Sequence, residues 1–200
     1  MKIRKSTAAF LSGVLAIGVL AAGCGQKEET EPASESGRSE ERLGSSFSSL
    51  RTFTAKTLDE NVFTQEDISK KDVTVINFWS LFCGPCIEEM PDLAQFEKAL
   101  PDHVQALTVC LDGDASKEEA RQILEEAGFQ GTTLLSGDGD FQKICSQIQY
   151  TPTTIFLDKD GNIAAETIIG GQEDLAAAYT DAINDALKSM GKEEITVERE

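Results

Sequence analysis

Two cysteines separated by a glycine and a proline, Cys83 and Cys86, are the residues in this chain most able to do chemistry. They follow residues 73–79, an apolar and β-branched run typical of a strand buried on both faces, and they precede apolar residues at helical spacing. At a helix start, unpaired N–H groups and the helix dipole stabilise a thiolate. We therefore predict that Cys83 is the exposed nucleophile. Cys86, one turn further on, would attack the mixed disulfide that Cys83 forms.

The elements around these cysteines predict an α/β domain. Strands are predicted at about residues 51–57, 73–79, 104–111, 153–157 and 163–169, and helices at about 64–67, 84–100, 117–127, 140–148 and 173–189. We expect the first strand to lie at a sheet edge, Pro91 to kink or restart its helix, and capping boxes to begin at Thr64 and Ser116. Parallel strand–helix–strand units, then a hairpin through residues 158–162 and a last helix, give a mixed central sheet with helices on both faces.

The N-terminus resembles a targeting segment. Basic residues at positions 2, 4 and 5 precede an uncharged, apolar stretch, residues 6–23, which predicts a signal peptide over 1–23. Small residues before Cys24 resemble a bacterial lipobox, so Cys24 is the predicted lipidation site; an uncleaved anchor helix is the alternative. Both interpretations place the protein at the cell membrane, on the extracytoplasmic face, where disulfides persist. Residues 24–50 are predicted to be a disordered tether, 51–189 the folded domain and 190–200 a charged tail that frays.

The charge of the chain argues against one class of partner. The formal net charge is −17, and removal of the three basic residues with the signal segment would leave −17 − 3 = −20. A surface with this much negative charge repels the phosphate backbone of nucleic acids. We therefore expect no nucleic-acid partner.

Two segments, residues 77–91 and 151–161, together resemble the TlpA/ResA-type membrane-anchored thioredoxins, and the likeness extends over about residues 50–189. The resemblance implies a thioredoxin fold, in agreement with the predicted order of elements. It also implies that the bond before Pro152 is cis and faces the disulfide, and that Thr151 pairs with an extended substrate segment. Trp79 is expected to contribute to substrate binding.

The same resemblance suggests how the dithiol is tuned. Gly84 and Pro85 between the cysteines resemble the reducing thioredoxins more than the oxidising Dsb-type proteins. Glu89 occupies the position of a Glu that we expect to accept the proton of Cys86, and the i, i+3 spacing puts both on one helix face. Phe82 stands where the family usually has Trp. Cytosolic thioredoxins have Asp in the place of Asn77, and the Asn77 side chain is expected to make local hydrogen bonds.

Other interpretations of these residues remain open at this stage. Glu89 could be a solvated helix residue, and Pro152 an ordinary trans loop proline. The cysteine pair could be half of a zinc site, but a second ligand pair is missing, and the single His103 favours neither zinc nor copper binding. A peroxidase would need Thr three positions before the reactive cysteine, and this chain has Ser80 there, which disfavours a peroxidase. Cys110 and Cys145 are expected to be small buried hydrophobes, with a disulfide between them as the alternative.

These observations predict a thiol–disulfide oxidoreductase that reduces disulfides of exported proteins through Cys83 and Cys86. A membrane thiol electron donor would reduce the resulting disulfide. We expect no cofactor besides that disulfide, no metal and a monomer. The alternatives are a disulfide oxidase or isomerase of the same fold, and a non-catalytic lipoprotein that binds a peptide or a metal.

Overall fold

A computed structural model describes residues 47–197. Its strands are β1 Thr54–Thr57, β2 Val62–Thr64, β3 Val73–Trp79, β4 Val104–Cys110, β5 Thr133–Gly137, β6 Thr153–Asp158 and β7 Ile168–Ile169. Its helices are α1 Gln65–Ile68, α2 Gly84–Ala99, α3 Lys117–Ala127, α4 Asp140–Gln147 and α5 Leu175–Ser189. The strands form one sheet in the order β2-β1-β5-β4-β3-β6-β7. β3, β4 and β5 run parallel, whereas the other pairs are antiparallel, so the predicted mixed sheet is confirmed.

The central strand β3 positions the chemistry because it is buried along its whole length. Its side chains alternate between two apolar cores: Val75 and Trp79 pack with α2, α3 and α5, while Ile76 and Phe78 pack with α1 and α4. Fully burying a side chain of this size contributes roughly 1.5–3 kcal/mol. The pleat therefore carries the side chain of Asn77 to the face that α2 and α5 cover.

The first predicted strand is interior and not an edge. β1 pairs with β2 on one side and with β5 on the other, and β2 is the edge. Neither neighbour is predicted from the sequence, because β2 has only three residues and β5 only five, too few for a periodic pattern.

The second strand of the predicted hairpin is interrupted. Leu157 faces Ile163 and Thr154 faces Ile168, so three steps along β6 correspond to five along the returning chain. Two extra residues therefore bulge out, and only Ile168–Ile169 forms a regular strand.

The helix bounds agree with the predictions to within two residues, but one predicted cap and the restart at Pro91 do not occur. The Thr64 capping box forms, but the Ser116 side chain makes no cap hydrogen bond although α3 begins where predicted. α2 continues through Pro91 without a restart. Because proline has no backbone N–H, one intrahelical hydrogen bond is missing at this position. Gly128 ends α3 in the left-handed region, at φ 74°.

The folded domain extends beyond both predicted boundaries. Leu50, which we assigned to the tether, is fully buried and donates its N–H to Gly161. At the other end the predicted fraying is wrong for the described part of the tail, up to residue 197: Ile195 packs on the core, and its backbone exchanges two hydrogen bonds with the side chain of Asn184. The predicted signal peptide, most of the tether and Cys24 lie outside the described residues.

Candidate active site

Cys83 and Cys86 form a disulfide at the start of α2, with their Cα atoms 5.3 Å apart. Cys83 is the N-cap of the helix, and its sulfur accepts the N–H of Cys86 at 3.3 Å. Cys83 is 9% exposed and Cys86 is fully buried, so Cys83 is the more accessible member of the pair, but it is largely covered and not exposed as predicted. Gly84 and Pro85, both exposed, form the first helical turn, where proline loses no bond.

A short turn connects the end of β3 to the disulfide. The N–H of Cys83 bonds to the carbonyl of Ser80 at 3.1 Å. The carboxylate of Asp112, in the loop after β4, accepts the N–H of Leu81 at 2.9 Å. Asp112 thus holds the turn from a segment 31 residues away, and no pattern in the sequence singled it out.

The peptide bond between Thr151 and Pro152 is cis, as the resemblance implied. Phe78 faces Thr153 across β3 and β6, so continuing this register places Pro152 beside Trp79, at the end of β3 that leads to the cysteines. The carbonyl of Pro152 accepts the N–H of Gly170 at 2.8 Å. Neither backbone group of Thr151 has a hydrogen-bond partner within residues 47–197.

Glu89 lies on α2 and is only 7% exposed. Its Oε1 accepts the side-chain N–H of Asn77 at 3.0 Å. Burial raises the pKa of Glu89 to about 7, although the Asn77 hydrogen bond and the backbone of Gln172 act in the opposite direction. The carboxyl therefore changes protonation near neutral pH, as a group that exchanges protons with a thiol must. The interpretation of Glu89 as a solvated residue is wrong.

Asn77 does not bond locally, contrary to the sequence analysis. Its Nδ2 reaches Thr154 on β6 at 3.1 Å and Tyr179 on α5 at 3.2 Å, besides Glu89 on α2. The only signal for this role in the sequence is that Asn77 is a polar residue in an otherwise apolar strand, on the face of β3 that α2 and α5 cover. Thr154 and Tyr179 gave no signal, because hydroxyl-bearing residues are common in strands and amphipathic helices.

Trp79, expected to bind substrate, is fully buried, and its indole N–H has no hydrogen-bond partner in the described part of the chain. Other apolar side chains near the disulfide are exposed instead. Phe82 directly precedes Cys83, Ile87 lies in the first turn of α2, and Tyr150 precedes the cis peptide by one residue. Their exposed fractions are 86%, 37% and 68%. They form what we call the apolar rim: Phe82, Ile87 and Tyr150.

The two remaining described cysteines are both free, so the alternative of a second disulfide does not occur here. Cys110 packs in the core beneath α2, and Cys145 packs against the core on the opposite face. Burial raises the pKa of each thiol to about 12, which makes both poor nucleophiles. His103 is exposed. Residues 47–197 contain no cluster of three potential metal ligands, and none of their helices has the length and hydropathy needed to cross a bilayer.

The sheet topology, the disulfide at a helix start and the neighbouring cis proline define a thioredoxin-like fold. The chain belongs to the Redoxin family, whose model matches residues 44–182. It is 31% identical over 106 residues to the sporulation thiol-disulfide oxidoreductase A of Bacillus subtilis, covering 49% of this chain and 62% of that protein. It is 26% identical over 122 residues to the thiol-disulfide oxidoreductase ResA of Bacillus thuringiensis, covering 60% and 67%. The chain thus spans less than two thirds of the first of these relatives and 67% of the second.

A solved structure gives the same fold. The thioredoxin domain of a thiol-disulfide oxidoreductase from Bacteroides vulgatus superposes with a TM-score of 0.53 at 21% identity, covering 68% of this chain and 96% of that domain. These comparisons confirm the predicted fold and the resemblance to ResA-type proteins.

Proposed function

We propose that this protein is an extracytoplasmic thiol–disulfide oxidoreductase that reduces disulfides in exported proteins. The observation that carries the proposal is the disulfide between Cys83 and Cys86 with the Cys83 sulfur as N-cap of α2. A thiolate in that place is stabilised by the N–H of Cys86 and by the helix dipole. The names of its relatives, thiol-disulfide oxidoreductases, support the same chemistry.

The reaction begins with both cysteines reduced. The Cys83 thiolate attacks one sulfur of the substrate disulfide, a mixed disulfide forms, and the substrate's other sulfur leaves as a thiolate that takes a proton from water. Cys86 gives its proton to Glu89 and attacks the Cys83 sulfur, which releases the second substrate thiolate. Two electrons thereby pass to the substrate, and the Cys83–Cys86 disulfide remains. A dithiol donor at the membrane then returns the two electrons and itself becomes a disulfide. Glu89 gives its proton back to Cys86, which restores the Cys83 thiolate and the Cys86 thiol, and the two protons of the donor balance those that the two substrate thiolates take from water.

The substrate would be held beside the disulfide by backbone pairing. The N–H and C=O of Thr151 have no partner within the described residues, so an extended segment can bond to them as an added strand. The apolar rim then covers side chains that flank the substrate cysteine. This arrangement favours unfolded or partly folded substrates, whose backbone is accessible.

The location rests on the N-terminal sequence. The basic start, the apolar stretch and Cys24 favour export and lipidation, and Cys24→Ser is expected to release the protein from the membrane fraction. Retention of the variant at the membrane would instead support an uncleaved anchor helix.

Substrate trapping tests the proposed reaction. In Cys86→Ala, Cys83 can attack but the mixed disulfide cannot be resolved, so exported proteins should accumulate on the variant as adducts that dithiothreitol releases. Cys83→Ser/Cys86→Ala is the matched control and should capture none. Equal capture by both variants, or capture by neither, would contradict the mechanism.

A redox titration against glutathione tests the direction. We expect a reduction potential below that of the glutathione couple, near the roughly −270 mV of thioredoxin. A potential well above that couple would favour an oxidase, the runner-up activity of the same fold.

A further inference from the structure

Four polar side chains from four elements meet in the core behind the disulfide. Asn77 on β3, Glu89 on α2, Thr154 on β6 and Tyr179 on α5 are 1%, 7%, 1% and 1% exposed. The Asn77 Nδ2 lies 3.0 Å from Glu89 Oε1, 3.1 Å from Thr154 Oγ1 and 3.2 Å from Tyr179 Oη. The two hydroxyl oxygens are 2.7 Å apart. Buried polar groups in such a cluster depend on each other for their hydrogen bonds.

Asn77 is the only member that links the carboxyl to the hydroxyls. Its amide nitrogen carries two hydrogens and faces three oxygens, so one hydrogen serves Glu89 and the other serves the hydroxyl pair. Within residues 47–197, Glu89 Oε2 and Asn77 Oδ1 make no hydrogen bond. The backbone of Gln172 lies close enough to favour the carboxylate further, without forming a bond of good geometry. Asn77 is therefore the one side-chain donor to Glu89 in the described residues.

We propose that Asn77 is a positioning residue for Glu89, and that Thr154 and Tyr179 orient its amide so that the buried carboxyl can both accept and release a proton. The inference deepens the proposed function, because it rests on Glu89 as the proton acceptor of Cys86. It adds roles for three residues on β3, β6 and α5 that do not touch the substrate.

The chemistry of an amide explains why asparagine suits this position. A carboxyl in its place would lie about as close to Glu89 as the amide does now, and two carboxyls at that distance share one proton. An apolar side chain would leave a buried carboxylate without a side-chain donor, which strongly favours the protonated acid. In the first case the pair of carboxyls, and in the second case Glu89 alone, would hold a proton at neutral pH, which hinders proton transfer from Cys86 to Glu89. A neutral donor avoids both outcomes.

Other titratable groups around Glu89 are few. Asp92, on the same helix, raises its pKa, and Tyr179 on α5 keeps its proton because burial and Glu89 raise the pKa of the phenol. Cys86 lies on the helix face of Glu89 but is held in the disulfide in the oxidised protein. No cation forms an ion pair with Glu89 in the part of the chain that the structure describes. The Asn77 amide is thus the main stabilising contact of the carboxylate.

Carboxyl ¹³C NMR of the oxidised full-length protein tests the inference without any turnover. Loss of a hydrogen bond to a charged group is expected to raise the titration midpoint of Glu89 by about one to two pH units in Asn77→Ala. Asn77→Asp should raise it at least as much. Tyr179→Phe, which keeps the ring, should give a smaller rise because Thr154 still holds the amide. Thr74→Val is the matched control: Thr74 is buried on the same strand but bonds to Gln105, so the midpoint should not move.

Exchanging the amide and the carboxyl between positions 77 and 89 tests for rescue of activity. The double variant Asn77→Asp/Glu89→Gln again has one carboxyl facing one amide, with their places reversed. It is expected to recover part of the rate of disulfide reduction at neutral pH that each single variant loses. If the Asn77 variants do not fold, Tyr179→Phe carries the test. An unchanged Glu89 midpoint in every folded variant would overturn the inference, whereas a double variant no faster than the singles would count against Glu89 as the proton acceptor.

The role of Glu89 as proton acceptor and the role of Asn77 in positioning it can be refuted independently. If the Glu89 midpoint moves in the Asn77 and Tyr179 variants but the pH profile of disulfide reduction does not follow it, Glu89 is not the proton acceptor, while Asn77 still positions it. If Glu89→Gln slows reduction but the midpoint ignores Asn77 and Tyr179, the proposed function stands and the positioning role is wrong.

Discussion

The backbone N–H of Cys86 points at the sulfur of Cys83 over 3.3 Å, so the sulfur nearest the surface caps the helix that holds its partner. This relationship gives the two sulfurs different chemistry although they are only three residues apart. On reduction, the cap can stabilise a negative charge on Cys83 but not on Cys86, whose side chain is fully buried.

Alkylation of the reduced protein should therefore be selective. At pH 6.5, iodoacetamide is expected to modify Cys83 at least tenfold faster than Cys86, because the fraction of thiolate falls about tenfold for each unit of pKa above the pH. Cys110 and Cys145, whose pKa burial raises to about 12, should react only after denaturation. Peptide mass spectrometry reports each cysteine separately. Faster modification of Cys86 than of Cys83 would contradict the assignment of the nucleophile.

Glu89 should make the stability of the protein fall as pH rises. Burial raises its pKa from 4.5 to about 7. Between these values the folded state keeps a proton that the unfolded state has released, so the free energy of unfolding decreases across this window. Glu89→Gln cannot ionise. It should match the wild type below pH 4.5 and exceed it above pH 7 by roughly 3 kcal/mol at most.

Urea denaturation of the oxidised proteins at both ends of that pH range measures the difference. Glu88→Gln, at the exposed neighbouring position, is the control and should keep the pH dependence of the wild type. A constant gap between Glu89→Gln and the wild type at all pH values would show that the Glu89 carboxyl does not carry the proton uptake.

The apolar rim should matter for substrate binding and little for the fold. Phe82 is 86% exposed and directly precedes Cys83, so Phe82→Ala removes apolar surface that a substrate segment would cover. Burial of an aromatic side chain contributes roughly 1.5–3 kcal/mol, and partial contact should make the loss about three- to thirtyfold in kcat/KM. Val62→Ala alters a side chain that is 64% exposed on the far edge strand and should have no effect. Equal losses of kcat/KM in Phe82→Ala and Val62→Ala would argue against substrate binding by the apolar rim.

Much of this site could be predicted because its parts lie within short segments. The strand, the CxxC turn and the helix that carries Glu89 are contiguous in residues 73–99, and the cis proline lies directly before the buried strand β6. The network behind the disulfide could not be predicted in the same way. Asn77 and Tyr179 are 102 residues apart, and only the packing of α5 on β3 brings them together.

The errors in the fold have a related cause. β2 and β5 owe their strand conformation to partners in the sheet, and their own sequences are too short to specify it. Trp79, which is expected to contribute to substrate binding, lies in the motif next to the cysteines. The pleat of β3 turns it into the core instead, and Phe82, three residues later in the turn, is exposed.

Insulin reduction tests the central claim most directly. With dithiothreitol as electron donor, the wild-type protein should accelerate the precipitation of insulin B chains, and Cys83→Ser should lose this activity to the level of dithiothreitol alone. Cys110→Ala removes a buried thiol outside the disulfide and should keep activity in the folded variant. Wild-type activity in Cys83→Ser, or no activity in a folded wild-type protein whose Cys83–Cys86 disulfide dithiothreitol reduces, would contradict the account.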